Sequence, residues 1–159
     1  MLSEKKRRII SKRIKLSTKN WAIGVVSEKE IESLGMGVSC QLSFKRAIKN
    51  LSKKCSTDQK PDFVLVDGYK IKDLEIPCKG VIKGDTKCLS IAASSIIAKV
   101  YRDNLMRRLS KKYPKYGFEK HKGYGTKKHL EALKKYGPCE IHRKNFKPVK
   151  LELRIKRDE

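Results

Sequence analysis

Phe63-Val64-Leu65-Val66-Asp67-Gly68, followed further on by Gly80-Val81-Ile82-Lys83-Gly84-Asp85, is the pair of stretches on which the fold turns. The first is a continuous β-branched and aromatic run that stops at an Asp-Gly turn, the pattern of a strand buried on both faces. The second is a shorter apolar run over Gly80–Lys83 that stops at Gly84-Asp85 and also reads as a strand. Residues 69–79 between them hold Pro77 and no helical period, so they read as a loop. Each strand thus delivers a carboxylate at its C-terminal end. Parallel strands would bring Asp67 and Asp85 to one end of a sheet, and antiparallel strands would send them to opposite ends.

Leu89 to Lys112 follows as the longest helix pattern. Leu89, Ala92, Ala93, Ile96, Ile97 and Val100 recur at a 3.6-residue period, which makes it the expected core helix. On the N-terminal side, residues 2–20 read as a basic amphipathic helix, with Ser3 placed to cap and Ile9, Ile10, Ile14 and Leu16 as its apolar stripe. Trp21–Val26 is a short apolar run of strand type. Ser27 and Glu30 form a capping box for a short helix over 28–34, and the spacing of Leu42, Ala47, Ile48 and Leu51 predicts another over 39–53. Beyond Tyr113-Pro114 the chain turns glycine-rich and basic. Thr126 is placed to cap a helix over 127–136, which Gly137-Pro138 stops. Residues 151–159 read as a charged tail without fixed structure.

Charge narrows the function more than size does. The 159 residues carry 40 Lys+Arg against 17 Asp+Glu, a formal net charge of +23, which excludes an acidic or charge-balanced protein. From Arg102 to Lys150 there are 16 basic and 4 acidic residues, so that third carries a net +12. Such a surface favours a polyanion, because each lysine or arginine on a phosphate releases counterions. A lysine-biased genome is the competing explanation. No run approaches the ~18 apolar residues of a membrane span, and nothing apolar follows the basic start as in a signal peptide, so a cytoplasmic protein is expected. Five cysteines, Cys40, Cys55, Cys78, Cys88 and Cys139, form no C-x-x-C pair, which speaks for scattered thiols over a disulfide framework.

Carboxylates at strand ends are the chemistry-bearing candidates. Asp67 and Asp85 could hold a hard divalent cation, Mn²⁺ or Mg²⁺, through oxygen, and such an ion can polarise a phosphodiester. The competing readings are an ordinary Asp-Gly turn for Asp67 and a turn or helix-start residue for Asp85. Asp103 falls near the apolar face of the long helix, where Lys99 and Arg107 at i−4 and i+4 favour an ion pair. His121, His129 and His142 show no metal-ligand spacing and read as surface or core residues. Tyr124 lies between Gly123 and Gly125, which leaves its ring free to stack on a base or sugar. Lys120, Lys122, Lys127 and Lys128 around it suit phosphate contacts, as does Lys83 beside Asp85. The competing reading of Tyr124 is a ring that packs a glycine turn.

In order and spacing the chain resembles bacterial ribonuclease HII. The matching stretches are Leu2–Arg7, Phe63–Gly68, Val81–Asp85, Ser90–Val100 with Arg102-Asp103, Tyr113-Pro114, Gly117-Phe118, His121–Thr126, Ile141–Arg143 and Phe146–Val149. The resemblance implies an α/β ribonuclease H-like fold, a mixed sheet flanked by helices with a helical C-terminal part, over residues 1–150. It implies an endonuclease that cuts RNA in RNA–DNA hybrids, including single ribonucleotides in duplex DNA, with Mn²⁺ or Mg²⁺ and as a monomer. Asp67 and Asp85 match the third and fourth of the family's four metal-binding carboxylates, and Tyr124 matches the tyrosine that stacks at the RNA–DNA junction. The family's opening strand with Asp-Glu-Ala-Gly-Arg-Gly has no counterpart. The first aspartate is Asp58, and the adjacent pair Asp158-Glu159 lies at the C-terminus. The fold is therefore expected to be N-terminally incomplete, and the chain either a fragment of an active enzyme or a defective copy that only binds hybrid.

Overall fold

The computed structural model describes residues 2–18, 20–56 and 60–158, the side chains of 156–158 excepted. In chain order the elements are α1 (Glu4–Ser17), α2 (Glu28–Ser52), β1 (Val64–Asp67), β2 (Cys78–Val81), α3 (Gly84–Lys87), α4 (Leu89–Lys112), a 3-10 turn (Pro114–Tyr116), α5 (Phe118–His121), α6 (Lys127–Tyr136) and α7 (Lys147–Asp158). They fall into two compact units. The first comprises the residues up to Val26 with Met36–Val100, the second Ser27–Gly35 with the chain from Tyr101 onward. No helix among the described residues is long and apolar enough to cross a membrane.

In the first unit α1 starts as the sequence indicates, the Ser3 hydroxyl accepting the Lys6 amide at 3.3 Å. Its expected apolar stripe is only partly covered, for Ile9 and Leu16 are exposed. Trp21–Val26 forms no strand among the described residues. It runs along α2, and its alternate carbonyls accept from side chains of that helix and of the turn after it: Val25 from Arg46 at 2.7 Å and Ile23 from Asn50 at 2.9 Å in the helix, and Trp21 from Lys54 at 3.2 Å in the turn. Two residues of extended chain rise about as far as four residues of helix, roughly 6–7 Å. That match lets side chains of one helix face take the place of a ladder. The approach is close enough that a Cβ on Gly24 would stand 1.9 Å from the Ser43 carbonyl oxygen.

β1 and β2 pair in parallel, with Val64 opposite Cys78 and Asp67 opposite Val81. The expectation of a strand buried on both faces fails for β1: Val66 is buried, but Phe63 and Leu65 are exposed, because the sheet has two strands and one covered face. β2 begins and ends two residues earlier than its apolar run suggests. Lys83 takes a left-handed conformation (φ 55°) and turns the chain into α3, so Ile82 is exposed and Asp85 opens a helical turn. Gly80 permits the returning loop to cross, since a Cβ there would lie 2.5 Å from the Gly68 carbonyl oxygen. Helix α4 has the bounds read from the sequence, and its expected face is covered in part: Ile97 and Val100 are buried and Ala92, Ala93 and Ile96 half-buried, whereas Leu89 is exposed and Ile91 and Asp103 are buried beside them.

In the second unit the capping box is present, with the Ser27 amide donating to Glu30 at 2.9 Å and the Glu30 amide to the Ser27 hydroxyl at 3.3 Å. Gly35 (φ 76°) breaks α2 where the sequence separates two helices. The core gathers Phe118, Tyr116, Leu133 and Val149, with the Phe118 and Tyr116 rings stacked at 5.4 Å. The supposed unstructured tail is a correction: residues 151–158 continue α7, an amphipathic helix anchored by buried Val149.

Candidate functional site

Parallel pairing decides between the alternatives left open for the two carboxylates. Asp67 closes β1, and its Oδ1 accepts the Gly84 amide at 2.8 Å, one residue before Asp85. Gly84 is packed closely at this contact. A Cβ there would meet the Ile91 Cδ1 at 2.6 Å and stand 3.4 Å from Asp67 Oδ1. Ile91 from α4 thus presses the α3 turn onto the end of β1. Both carboxylates are solvent-exposed, and Lys83 beside them is exposed too. Asp85 borders a cleft of about 270 Å³ shared with Arg7 of α1 and with Ser95 and Lys99 of α4.

These donors suit a hard cation: two carboxylates at one strand end, one with its second oxygen unused by the backbone. Among the described residues, however, no three His, Cys, Asp or Glu side chains converge as a metal site. Asp103 is buried in the second unit.

Tyr124 belongs to the second unit. Its side chain is 61% exposed, so it is not a core ring packing a turn. Arg102 backs it: the guanidinium carbon lies 4.5 Å from the ring centroid, Nη1 donates to the phenol oxygen at 2.8 Å and Nη2 to the Lys122 carbonyl at 3.0 Å. One ring face carries a cation and the rest is open to solvent. Lys122 is half-buried, and its ammonium donates to the Glu119 carbonyl.

The histidines, which showed no spacing signal, form the largest surprise. His121 and His129 are buried and stacked, with centroids 4.3 Å apart, and the His129 and His142 Nε2 atoms are 3.1 Å apart. Burial is the main cause that holds both His129 and His142 below the ordinary imidazole range, His142 down to about 4, with the neighbouring imidazoles adding to it. Tyr116 and Phe118 pack on His142 at 4.9 and 5.5 Å between centroids. Arg102 and the histidines are the residues that sequence reading missed as parts of a site. Arg102 was visible only as a member of the Arg102-Asp103 match.

The chain is similar to known proteins in sequence and in fold. The family model for ribonuclease HII matches residues 1–149. The chain is 51% identical over 130 residues to the ribonuclease HII of Chlamydia caviae, covering 82% of this chain and 58% of that protein. It is 43% identical over 149 residues to the ribonuclease HII of Natranaerobius thermophilus, covering 94% of this chain and 72% of that one. The chain therefore spans about three fifths of the chlamydial relative's length. The crystal structure of the ribonuclease H2 from Pyrococcus horikoshii superposes with a TM-score of 0.74 at 22% identity, over 100% of this chain and 80% of that one, which shows a shared fold.

Proposed function

The chain belongs to the ribonuclease HII family, and from that premise we propose that it is an endoribonuclease acting on RNA–DNA hybrids, including single ribonucleotides embedded in duplex DNA. Hydrolysis would fall on the 5′ side of the ribonucleotide and leave a 5′-phosphate; the protein would work as a cytoplasmic monomer. The observation that carries the reading is the parallel register, which sets Asp67 and the Asp85 turn side by side. Asp67 and Asp85 would hold Mn²⁺ or Mg²⁺, and the bound cation supplies Lewis acidity at the scissile phosphate and acidifies a water.

The chain's own residues do the remaining work. The Gly84 amide fixes the Asp67 carboxylate, and Lys83 offers an exposed ammonium to a phosphate. Tyr124 presents an open ring face on which a base or sugar stacks, and Arg102 behind it keeps further N–H groups for the backbone. The basic residues between Arg102 and Lys150 draw the duplex in and make binding salt-dependent.

A second reading is that the chain by itself binds hybrid without cutting it. Asp67 beside the Asp85 turn, with no cluster of three ligands among the described residues, favours it. Incubating the chain with a duplex carrying one embedded ribonucleotide, with Mn²⁺ and with EDTA as control, separates the two. Metal-dependent nicking 5′ to the ribonucleotide supports the enzyme. A folded sample that binds this duplex and leaves it intact supports the binding reading.

A further inference from the structure

Hydrogen-bond partners fix the proton on every ring of the histidine cluster. His129 Nδ1 lies 2.9 Å from the Tyr124 carbonyl oxygen. A carbonyl only accepts, so Nδ1 carries the proton and donates. Neutral His129 then offers a lone pair at Nε2, and the His142 Nε2 at 3.1 Å must donate to it. His142 Nδ1 is left as an acceptor, and it faces the Cys139 backbone amide at 3.0 Å and the Cys139 thiol at 3.1 Å. An obligate donor stands at one end of this relay and an obligate acceptor at the other, so one tautomer assignment satisfies every link. His121, stacked on His129, is fixed in the same way: Nε2 donates to the Tyr116 carbonyl at 2.7 Å, and Nδ1 accepts the Gly123 amide at 3.2 Å. Two imidazoles therefore hold consecutive residues of the loop that carries the exposed ring, His121 at Gly123 and His129 at Tyr124.

We propose that His121, His129 and His142 are positioning residues for Tyr124, an all-neutral relay that sets the backbone from which the ring projects toward a ribonucleotide. The proposal rests on the reading of Tyr124 as a stacking platform. A proton added to His129 Nε2 sets N–H against N–H at the His129–His142 link, and one added to His142 Nδ1 sets it against the Cys139 amide. Around the relay stand the Cys139 thiol, which burial holds above its ordinary range, and the Tyr116 phenol, likewise raised by burial and donating to the Gly137 carbonyl at 2.7 Å. Both are neutral at pH 7; the Glu119 carboxylate, held below its ordinary range chiefly by the Ser110 hydroxyl, is the charged group that acts on His121. The loop also has a backbone reason to need holding, since Lys122 and Gly123 both take positive φ, 52° and 79°.

Two experiments test this. In ¹⁵N-labelled chain at pH 7, long-range ¹H–¹⁵N spectra of the imidazoles are expected to show His129 as the Nδ1–H tautomer and His121 and His142 as Nε2–H. His129 found as Nε2–H or as imidazolium overturns the relay whatever Tyr124 does. Binding then reads the positioning, as the affinity ratio of a duplex with one ribonucleotide to the all-DNA duplex. Loss of one stacked base contact predicts a fall in that ratio of about 10-fold for Tyr124→Ala and for His129→Leu. His129→Asn, whose amide replaces the Nδ1 donor, is expected to restore the ratio to within about 2-fold of the parent, a residual loss under 0.5 kcal/mol. If His129→Leu keeps the ratio while Tyr124→Ala loses it, the positioning role fails and the platform stands. If Tyr124→Ala keeps it, both fail.

Discussion

Asp67 and Asp85 owe their place to the backbone, whereas Tyr124 owes its place to side chains. In the first unit a two-stranded parallel ladder and a left-handed Lys83 set the α3 turn against the end of β1, and the carboxylates of Asp67 and Asp85 stay in water. In the second unit the loop backbone is tethered to buried imidazoles, which are backed in turn by Tyr116 and Phe118. The first arrangement is sensitive to added volume. The second is sensitive to a proton and to loss of the donor that holds the Tyr124 carbonyl.

The largest effect should come from breaking the first region by volume. Gly24→Ala puts a methyl 1.9 Å from the Ser43 carbonyl oxygen and 2.6 Å from the Ala47 amide, both backbone atoms that cannot swing aside. A cost above about 3 kcal/mol is expected, beyond ordinary overpacking. The sole tryptophan, Trp21, sits in the same segment with the Lys15 ammonium 4.0 Å from its ring centroid, so its fluorescence reports the loss. An unchanged melting curve would contradict the docking of this segment on α2.

Acid should act on the second region. An unfolded histidine takes up its proton near pH 6.5, but folded His142 does so only near 4. Stability is therefore fully present above pH 6.5 and lost as pH falls toward 4, by at most about 3 kcal/mol for this group. Urea unfolding between pH 7 and 4.5 measures it, and His142→Phe should flatten the profile. A profile just as steep in that variant would remove His142 as the cause.

Smaller effects sharpen the contrast. Arg102→Ala should lower affinity for hybrid and for DNA alike and reduce the salt slope by about 1, in contrast to the selective loss at Tyr124. Asp67→Asn keeps an acceptor for the Gly84 amide, so melting should hardly move while cation binding falls. Smallest of all, Glu140→Gln removes the exposed partner of Lys112, 2.7 Å away, and should leave melting unchanged within error.

The backbone-held region was largely legible in the sequence and the side-chain-held region was not. Apolar runs that end in Asp67-Gly68 and Gly84-Asp85, the Ser27–Glu30 box and the bounds of α4 are local patterns with local causes. Periodicity erred where neighbours decide: Leu89 falls on the counted stripe but is exposed, while Ile91 was overlooked and seats the α3 turn. Trp21–Val26 has strand composition, yet its carbonyls found helix side chains instead of a ladder. His121, His129 and His142 converge only through tertiary folding, so no spacing rule reveals them.

The central claim is that the end of β1 and the α3 turn together hold the cation. Substoichiometric Mn²⁺ added to ¹⁵N-labelled chain tests it through paramagnetic broadening of amide signals. Asp67, Gly68, Gly84 and Asp85 are expected to broaden first, and Asp67→Asn to abolish the effect. Broadening centred elsewhere, or unchanged in the Asn variant, would contradict the claim.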